Sequence, residues 1–154
     1  MRKIFALIVM VLVAGISSSW AAEKAERGTK EEAIAMVKKA IAFIKANGND
    51  KAFEEFNNRD GQFVDRDLYV IVYDMNGVCM AHGGNIRKVG RELIDDKDAD
   101  GKPFMRERIE LMKKQASAWQ DYKYKNFVTN QIEAKSTYLE KSGDLIVGCG
   151  IYAQ

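Results

Sequence analysis

Three groups of residues in this chain could do chemistry. The first is acidic: Asp96, Asp98, Asp100 and Glu107, with Gly101 inside the run, satisfy the pattern D-x-D-x-D-G-x5-E. In that pattern side-chain oxygens surround a calcium ion and the glycine makes the turn. The second combines Trp119, Tyr122, Tyr124, Lys135 and Tyr138, which offer apolar walls, phenolic donors and one ammonium, the mixture that concave small-ligand sites use. A carboxylate suits this set, because lysine compensates its charge and tyrosine hydroxyls direct hydrogen bonds. The third is His82, the only histidine. A lone histidine excludes a His-rich metal site, but it can supply one neutral donor or acceptor or anchor the Gly83-Gly84 turn. A Ser/His/Asp triad would have to recruit His82 with Ser117, Ser136 or Ser142, none of which stands in a nucleophile elbow. No phosphate-cradling glycine loop follows a strand. Binding is therefore expected, not catalysis, and no cofactor is implied.

Each group also has a plainer reading. The tyrosines can be cross-strand packing pairs and Lys135 a solvated strand residue. Strict alternation puts Lys135 and Tyr138 on opposite faces, as it does Tyr122 and Trp119, so one pocket cannot take all of them without a bulge. Against calcium, Pro103 occupies the eighth loop position, where an EF-hand needs a backbone N–H, and 86–94 has weak helical periodicity and contains Gly90. A solvated acidic loop that caps the next helix is the other reading of 96–107.

The elements that must position these residues read as helix followed by sheet. Thr29 with Glu32 forms a capping box, and Ala33, Ile34, Val37, Ala40, Ile41 and Ile44 recur at helical spacing until Asn47-Gly48 stops the helix. Asp50 can cap a second short helix carrying Phe53 and Phe56, and 57–61 is then a loop. Residues 68–73 are a continuous apolar run suited to a central strand, and Asn76-Gly77 signals a hairpin into 78–81. Pro103 fits the first turn of a helix with Phe104, Ile109 and Met112 inward and Arg106, Glu107, Arg108, Lys113 and Lys114 toward water. Residues 118–124, 131–140 and 145–152 read as three further strands. The fold expected is α+β, with a five-stranded antiparallel sheet, N-terminal helices and a helical crossover.

Residues 1–21 have the form of a secretory signal peptide: Arg2 and Lys3, an apolar run over 4–14, and Ser19-Trp20-Ala21 before a cleavage point. The run is short of the roughly 20 residues a membrane-crossing helix needs. A periplasmic or secreted protein without a membrane anchor after cleavage is expected. Arg2 and Lys3 are the leader's only charged residues, so of 24 basic and 22 acidic side chains equal numbers remain, and nucleic-acid binding has no electrostatic support. The remaining 22–154 suits one domain.

Six short stretches carry a family resemblance: DLYVIVYDMNG (67–77), AHG (81–83), DADGKPF (98–104), DYKYKN (121–126), KSTY (135–138) and GCGIY (148–152). In that order they resemble the single Cache domain, an extracytoplasmic ligand sensor of bacterial chemoreceptors and sensor kinases, in its small free-standing version. The resemblance implies a PAS-like sheet of strand order 2-1-5-4-3, with the ligand between the sheet and the irregular segment that crosses it. It places Trp119, Tyr122, Tyr124, Lys135 and Tyr138 near that ligand and implies a membrane receptor or sensor kinase as partner. Tyr124 stands where the family usually has tryptophan, and the family's Asn-Pro is Asn126-Phe127 here. With strand order 2-1-5-4-3 the second strand, with Cys79, and the fifth, with Cys149, lie about 9 to 10 Å apart, two strand spacings. That exceeds the roughly 7 Å a disulfide spans, so two free thiols are expected. The function expected is a sensor-type domain for a small organic anion. A calcium-binding exported module using Asp96, Asp98, Asp100 and Glu107, and a structural periplasmic protein whose aromatics only pack, are the alternatives.

Overall fold

The computed structural model describes residues 26–153; the expected leader and its cleavage point lie outside them. Helix α1 (Lys30–Asn47) starts on the capping box: Thr29 N donates to Glu32 at 2.8 Å and Glu32 N to Thr29 Oγ1 at 3.2 Å. It ends where Gly48 takes φ of 81°, a left-handed conformation open to glycine. Helix α2 (Asn49–Asn57) follows at once. Gly48 is its N-cap and makes no side-chain hydrogen bond, so Asp50 falls in the first turn and does not cap it. The strands are β1 (Val64–Asp65), β2 (Leu68–Asp74), β3 (Cys79–His82), β4 (Ser117–Lys125), β5 (Ile132–Ser142) and β6 (Leu145–Tyr152), with helix α3 (Phe104–Lys114) between β3 and β4.

All pairings are antiparallel. β2 lies between β3 and β6, and β5 then β4 continue the sheet. The sheet has six strands and not five, because Val64 and Asp65 pair with Tyr69 and Leu68 of β2. Two residues lack the length for a readable alternation, which is why β1 leaves no trace in the hydrophobic pattern.

The sheet separates two layers. On one face α1 and α2 cover Val70, Val72, Val147 and Cys149 with Val37, Ala40, Ile41, Ile44 and Phe56. Phe43, Phe56 and Phe63 form an edge-to-face cluster with centroids 4.6–6.2 Å apart. Burial of such side chains contributes about 1.5 to 3 kcal/mol each. On the other face α3 and the irregular segment 83–103 cover Tyr69, Ile71, Tyr73, Cys79 and Tyr122. Cys79 and Cys149 are both free and buried, on opposite faces. Burial pushes their thiols up to about 11 and about 12. Among the described residues no helix is long and apolar enough to cross a membrane.

Candidate functional site

Register sets which side chains meet on the α3 face. Lys135 of β5 pairs with Tyr122 of β4 and Tyr152 of β6, so alternation sends all three to the same side. The lysine stem lies over Gly150, where an added Cβ would stand 2.3 Å from Lys135 Cε and 2.5 Å from Thr137 Oγ1. Only glycine leaves that space. Lys135 Nζ donates to Tyr69 Oη at 2.6 Å and to Tyr152 Oη at 3.2 Å, with the two ring centroids 4.0 and 4.5 Å away. Tyr152 Oη donates in turn to the Lys125 carbonyl at 3.0 Å. Burial holds the ammonium below its ordinary pKa, against the raising effect of Tyr122.

A second cation lies on the same face. Arg108 was expected to face water and instead is fully buried. It is one turn from Phe104 and one turn from Met112, in the middle of the inward stripe of α3, and its charge conceals a core position. Its Nε donates to Gln120 Oε1 at 3.0 Å, while Nη2 has no hydrogen-bond partner. The guanidinium lies 5.3–5.5 Å from the Tyr73, Phe104 and Tyr122 rings, a cation–π cage. Tyr122 stacks on Phe104 at 4.7 Å and 6° and shares a 3.1 Å hydrogen bond with Thr137. Burial pushes its phenol up, but Arg108 and Lys135 outweigh burial and hold it below its ordinary value. Among the described residues neither Lys135 nor Arg108 enters an ion pair. Two desolvated positive charges without carboxylates are costly, and an anion in reach would relieve them.

Tyr69, which accepts from Lys135, is also in the wall of a cavity of about 260 Å³ lined by Arg59, Tyr69, His82, Gly84, Asn85, Tyr124, Lys125, Phe127 and Asn130. Its wall contains two cationic side chains and no acidic one. His82 is stacked between Tyr69 (5.3 Å, 27°) and Tyr124 (6.4 Å, 28°). Its Nδ1 accepts from Asn85 N at 3.0 Å, which puts the proton on Nε2 and makes the ring a neutral donor. Burial, helped by Lys135 and Lys88, pushes its pKa down to about 3. Gly84 permits the turn after β3 to press on Tyr69, since a Cβ there would stand 2.8 Å from the tyrosine ring.

Of the residues singled out from the sequence, His82, Tyr122, Tyr124 and Lys135 share the α3 face. Trp119 and Tyr138 do not: they pack on each other at 5.5 Å on the α1 face, with Lys30 over the indole at 5.4 Å and Tyr138 Oη donating to Glu140. No bulge interrupts β4 and β5 to bring them round. Tyr69, Arg108, Tyr152, Arg59 and Phe127 were missed. Tyr69 and Tyr152 look like ordinary strand residues until the register closes them on Lys135. A larger groove of about 770 Å³ lies beside the start of α1. Glu31, Asp98, Asp100 and Asp121 line it together with Tyr122, Tyr152 and four lysines, of which Lys102 is paired with Glu107 and Lys123 with Asp100, while Lys30 and the buried Lys135 are in no ion pair among the described residues. Its four carboxylates weigh against an anion, although Lys135 lines this groove and reaches the smaller cavity only through Tyr69.

The acidic residues of the calcium pattern do not converge. Asp98 accepts the backbone N–H groups of Asp100, Lys102 and Lys123 at 2.9–3.0 Å, Asp96 faces Lys88 at 2.8 Å, Asp100 faces Lys123 and Glu107 faces Lys102. Among the described residues no cluster of three or more His, Cys, Asp or Glu side chains could hold a metal ion. The loop instead seals the edge strand β4, with Asp98 on Lys123 N and Lys102 Nζ on the Asp121 carbonyl.

Several solved structures are similar to this chain, three of them as follows. One, a Cache chemosensory domain described for its carboxylic acid recognition, has TM-score 0.68 and 19% identity over 80% of this chain and 92% of that one. A methyl-accepting chemotaxis protein from Vibrio parahaemolyticus RIMD 2210633 has TM-score 0.68 and 26% identity, covering 80% and 87%. A periplasmic sensor domain of a chemotaxis protein has TM-score 0.64 and 20% identity, covering 80% and 90%. Among curated proteins none matches. The family description Single Cache domain 2 matches residues 7–154, and the chain belongs to that family of extracytoplasmic sensor domains.

Proposed function

We propose that this protein is a periplasmic sensor domain, exported by a signal peptide cleaved near Ala21, that binds a small organic anion, a short carboxylate, and presents its bound state to a membrane receptor or sensor kinase. The observation that carries this reading is the charge balance of the α3 face. Lys135 is buried in no ion pair and donates to Tyr69, which lines a cavity whose wall holds Arg59 and Lys125 and no carboxylate. A carboxylate in the cavity gains the field of Lys135, the Nε2–H of His82 and the hydroxyl of Tyr69, which Lys135 polarises. Desolvation strengthens each of these contacts relative to water. The similar domain described for carboxylic acid recognition agrees in ligand class.

The test is a thermal-shift screen of short organic acids against their matched alcohols and amides. A ligand at a hundred times its Kd adds about 2.7 kcal/mol of stability, so acids should raise the melting temperature and their neutral analogues should not. Equal shifts from acids and amides would remove the charge argument.

A further inference from the structure

Two buried side chains in the wall of another cavity each leave a hydrogen-bonding atom unused. Asp67, just before β2, is 3% exposed and enters no ion pair among the described residues. Its Oδ1 accepts from Gly28 N at 2.8 Å, while Oδ2 has no partner. Asn126, just after β4, is fully buried; its Oδ1 accepts from Val128 N at 2.9 Å, while Nδ2 has no partner. A carboxylate oxygen without a donor and an amide N–H without an acceptor both lose their hydration for nothing in return. Asp67 and Asn126 line one cavity of about 190 Å³. Its cations do not relieve Asp67, because Arg27 pairs with Glu133, and Arg66 with Glu32 and Asp65 at 2.7 and 2.8 Å. Nor does Glu133 take up the Asn126 amide: its two oxygens accept from Arg27 and from Thr129. The backbone on both sides is strained. Arg66 and Asn130, with φ of 55° and 60°, are the two non-glycine residues of positive φ among the described residues, and such strain concentrates at ligand clamps.

From this arrangement we infer a second binding site, for a small primary ammonium that carries an oxygen acceptor on the adjacent carbon. The ammonium donates to Asp67 Oδ2 and the oxygen accepts from Asn126 Nδ2. A cation suits the site because Asp67 is the one buried carboxylate there that no cation pairs, and a buried charge is tolerated when it is paired and hydrogen-bonded. An acceptor on the same molecule satisfies the amide, which an ammonium alone leaves unpaired. The volume equals that of roughly six water molecules at about 30 Å³ each, and Val128 is the one apolar residue of the wall, so the ligand is short and mostly polar. The wall shares no residue with the cavity of about 260 Å³, and the inference goes beyond the anion-binding reading without resting on it.

Calorimetric titration of wild type and Asp67→Asn with ethanolamine, glycinamide, ethylamine and ethylene glycol, in an amine-free buffer, tests this. In wild type the better of ethanolamine and glycinamide, which offer a hydroxyl and a carbonyl acceptor, should bind about fivefold tighter than ethylamine, which offers none. Ethylene glycol lacks the charge and should bind roughly ten- to a hundredfold more weakly than ethanolamine. Asp67→Asn keeps an acceptor for Gly28 N and puts an N–H where Oδ2 stood, so ammonium affinity should fall by roughly ten- to a hundredfold with the fold retained. The ligand series on wild type needs no variant and decides the matter if Asp67→Asn is unstable. Undiminished amine binding by folded Asp67→Asn would overturn the site, as would ethylene glycol binding as tightly as ethanolamine. Ethylamine matching both other amines would remove Asn126 and the acceptor from the site. If no amine binds wild type, the cavity holds water alone and the inference is overturned.

Discussion

The two faces of one sheet differ more than any two other regions of this molecule. The α1 face is sealed by alanine, valine, isoleucine and phenylalanine. The α3 face carries Lys135, Arg108, Gln120, Thr137 and His82, each at 5% exposure or less, among five tyrosines, four of them buried. The same strands feed both faces, alternating residue by residue, so the contrast does not come from the backbone. Apolar burial on the first face contributes stability, whereas the second spends some of it on desolvated cations. A fold could fill the second face with leucine and be more stable for it. That it does not separates the side that holds the domain together from the side that recognises something.

Substitutions on the two faces should therefore have opposite signatures. The largest effect is expected on the α1 face: Phe56→Ala, at a fully buried position inside the phenylalanine cluster, should cost about 3 to 5 kcal/mol of stability. Denaturant unfolding measures this, and the folded fraction should keep its affinity for a carboxylate. Lys135→Met should do the reverse. Loss of the ammonium removes roughly ten- to a hundredfold in carboxylate affinity, from hydrogen bonds to a charged group of about 1.5 to 3 kcal/mol. Stability should hold or rise by up to about 2 kcal/mol, since a buried uncompensated charge disappears. If Lys135→Met unfolds the protein as severely as Phe56→Ala, the faces do not divide the labour.

His82 sharpens the same contrast through pH. Its folded pKa of about 3 lies below the ordinary 6.5, so the unfolded chain takes up a proton that the folded one refuses. The contribution is intact above pH 6.5 and is lost as pH falls toward 3. The slope is at most about 1.4 kcal/mol per pH unit, about 2 kcal/mol by pH 5. Unfolding curves of wild type and His82→Gln should converge on acidification by that amount. Parallel curves would mean that His82 is solvated and not part of the closed face.

How much of this could be read from the chain differs by element. The capping box of α1, the Asn76-Gly77 turn and the alternation of β4 and β5 are local patterns, and they form where expected. The face on which Trp119 and Tyr138 stand was also legible, from strict alternation. The face that carries the cavity was not, because it depends on what the helices and loops leave open. Arg108 illustrates the commonest error: its spacing in α3 is that of a core residue, and its charge argued for the surface. Tyr69 and Tyr152 are 83 residues apart, and nothing short of the sheet register brings their hydroxyls to one lysine.

The smallest expected effect concerns the loop at the boundary between the faces. Every carboxylate of the 96–107 pattern is engaged by a lysine or by backbone N–H groups, and Asp98 is held below the usual carboxylate range first by Lys123 N. Those bonds hold the loop against the edge of β4, which is where its stabilising role lies. Calcium at millimolar concentration would have to displace Lys88, Lys123 and Lys102 from three acids and pull Asp98 off the strand edge before it gained a ligand set. The melting temperature should consequently stay within about a degree with calcium or with chelator, because a ligand that does not bind the native state leaves its stability unchanged. Glu107→Gln should be equally silent, removing only the exposed pair with Lys102. Asp98→Ala should lower the melting temperature with or without calcium, since three N–H groups lose their acceptor. A saturable rise with calcium that Glu107→Gln abolishes would make this loop a third functional region and end the division of the molecule into one structural and one recognising face.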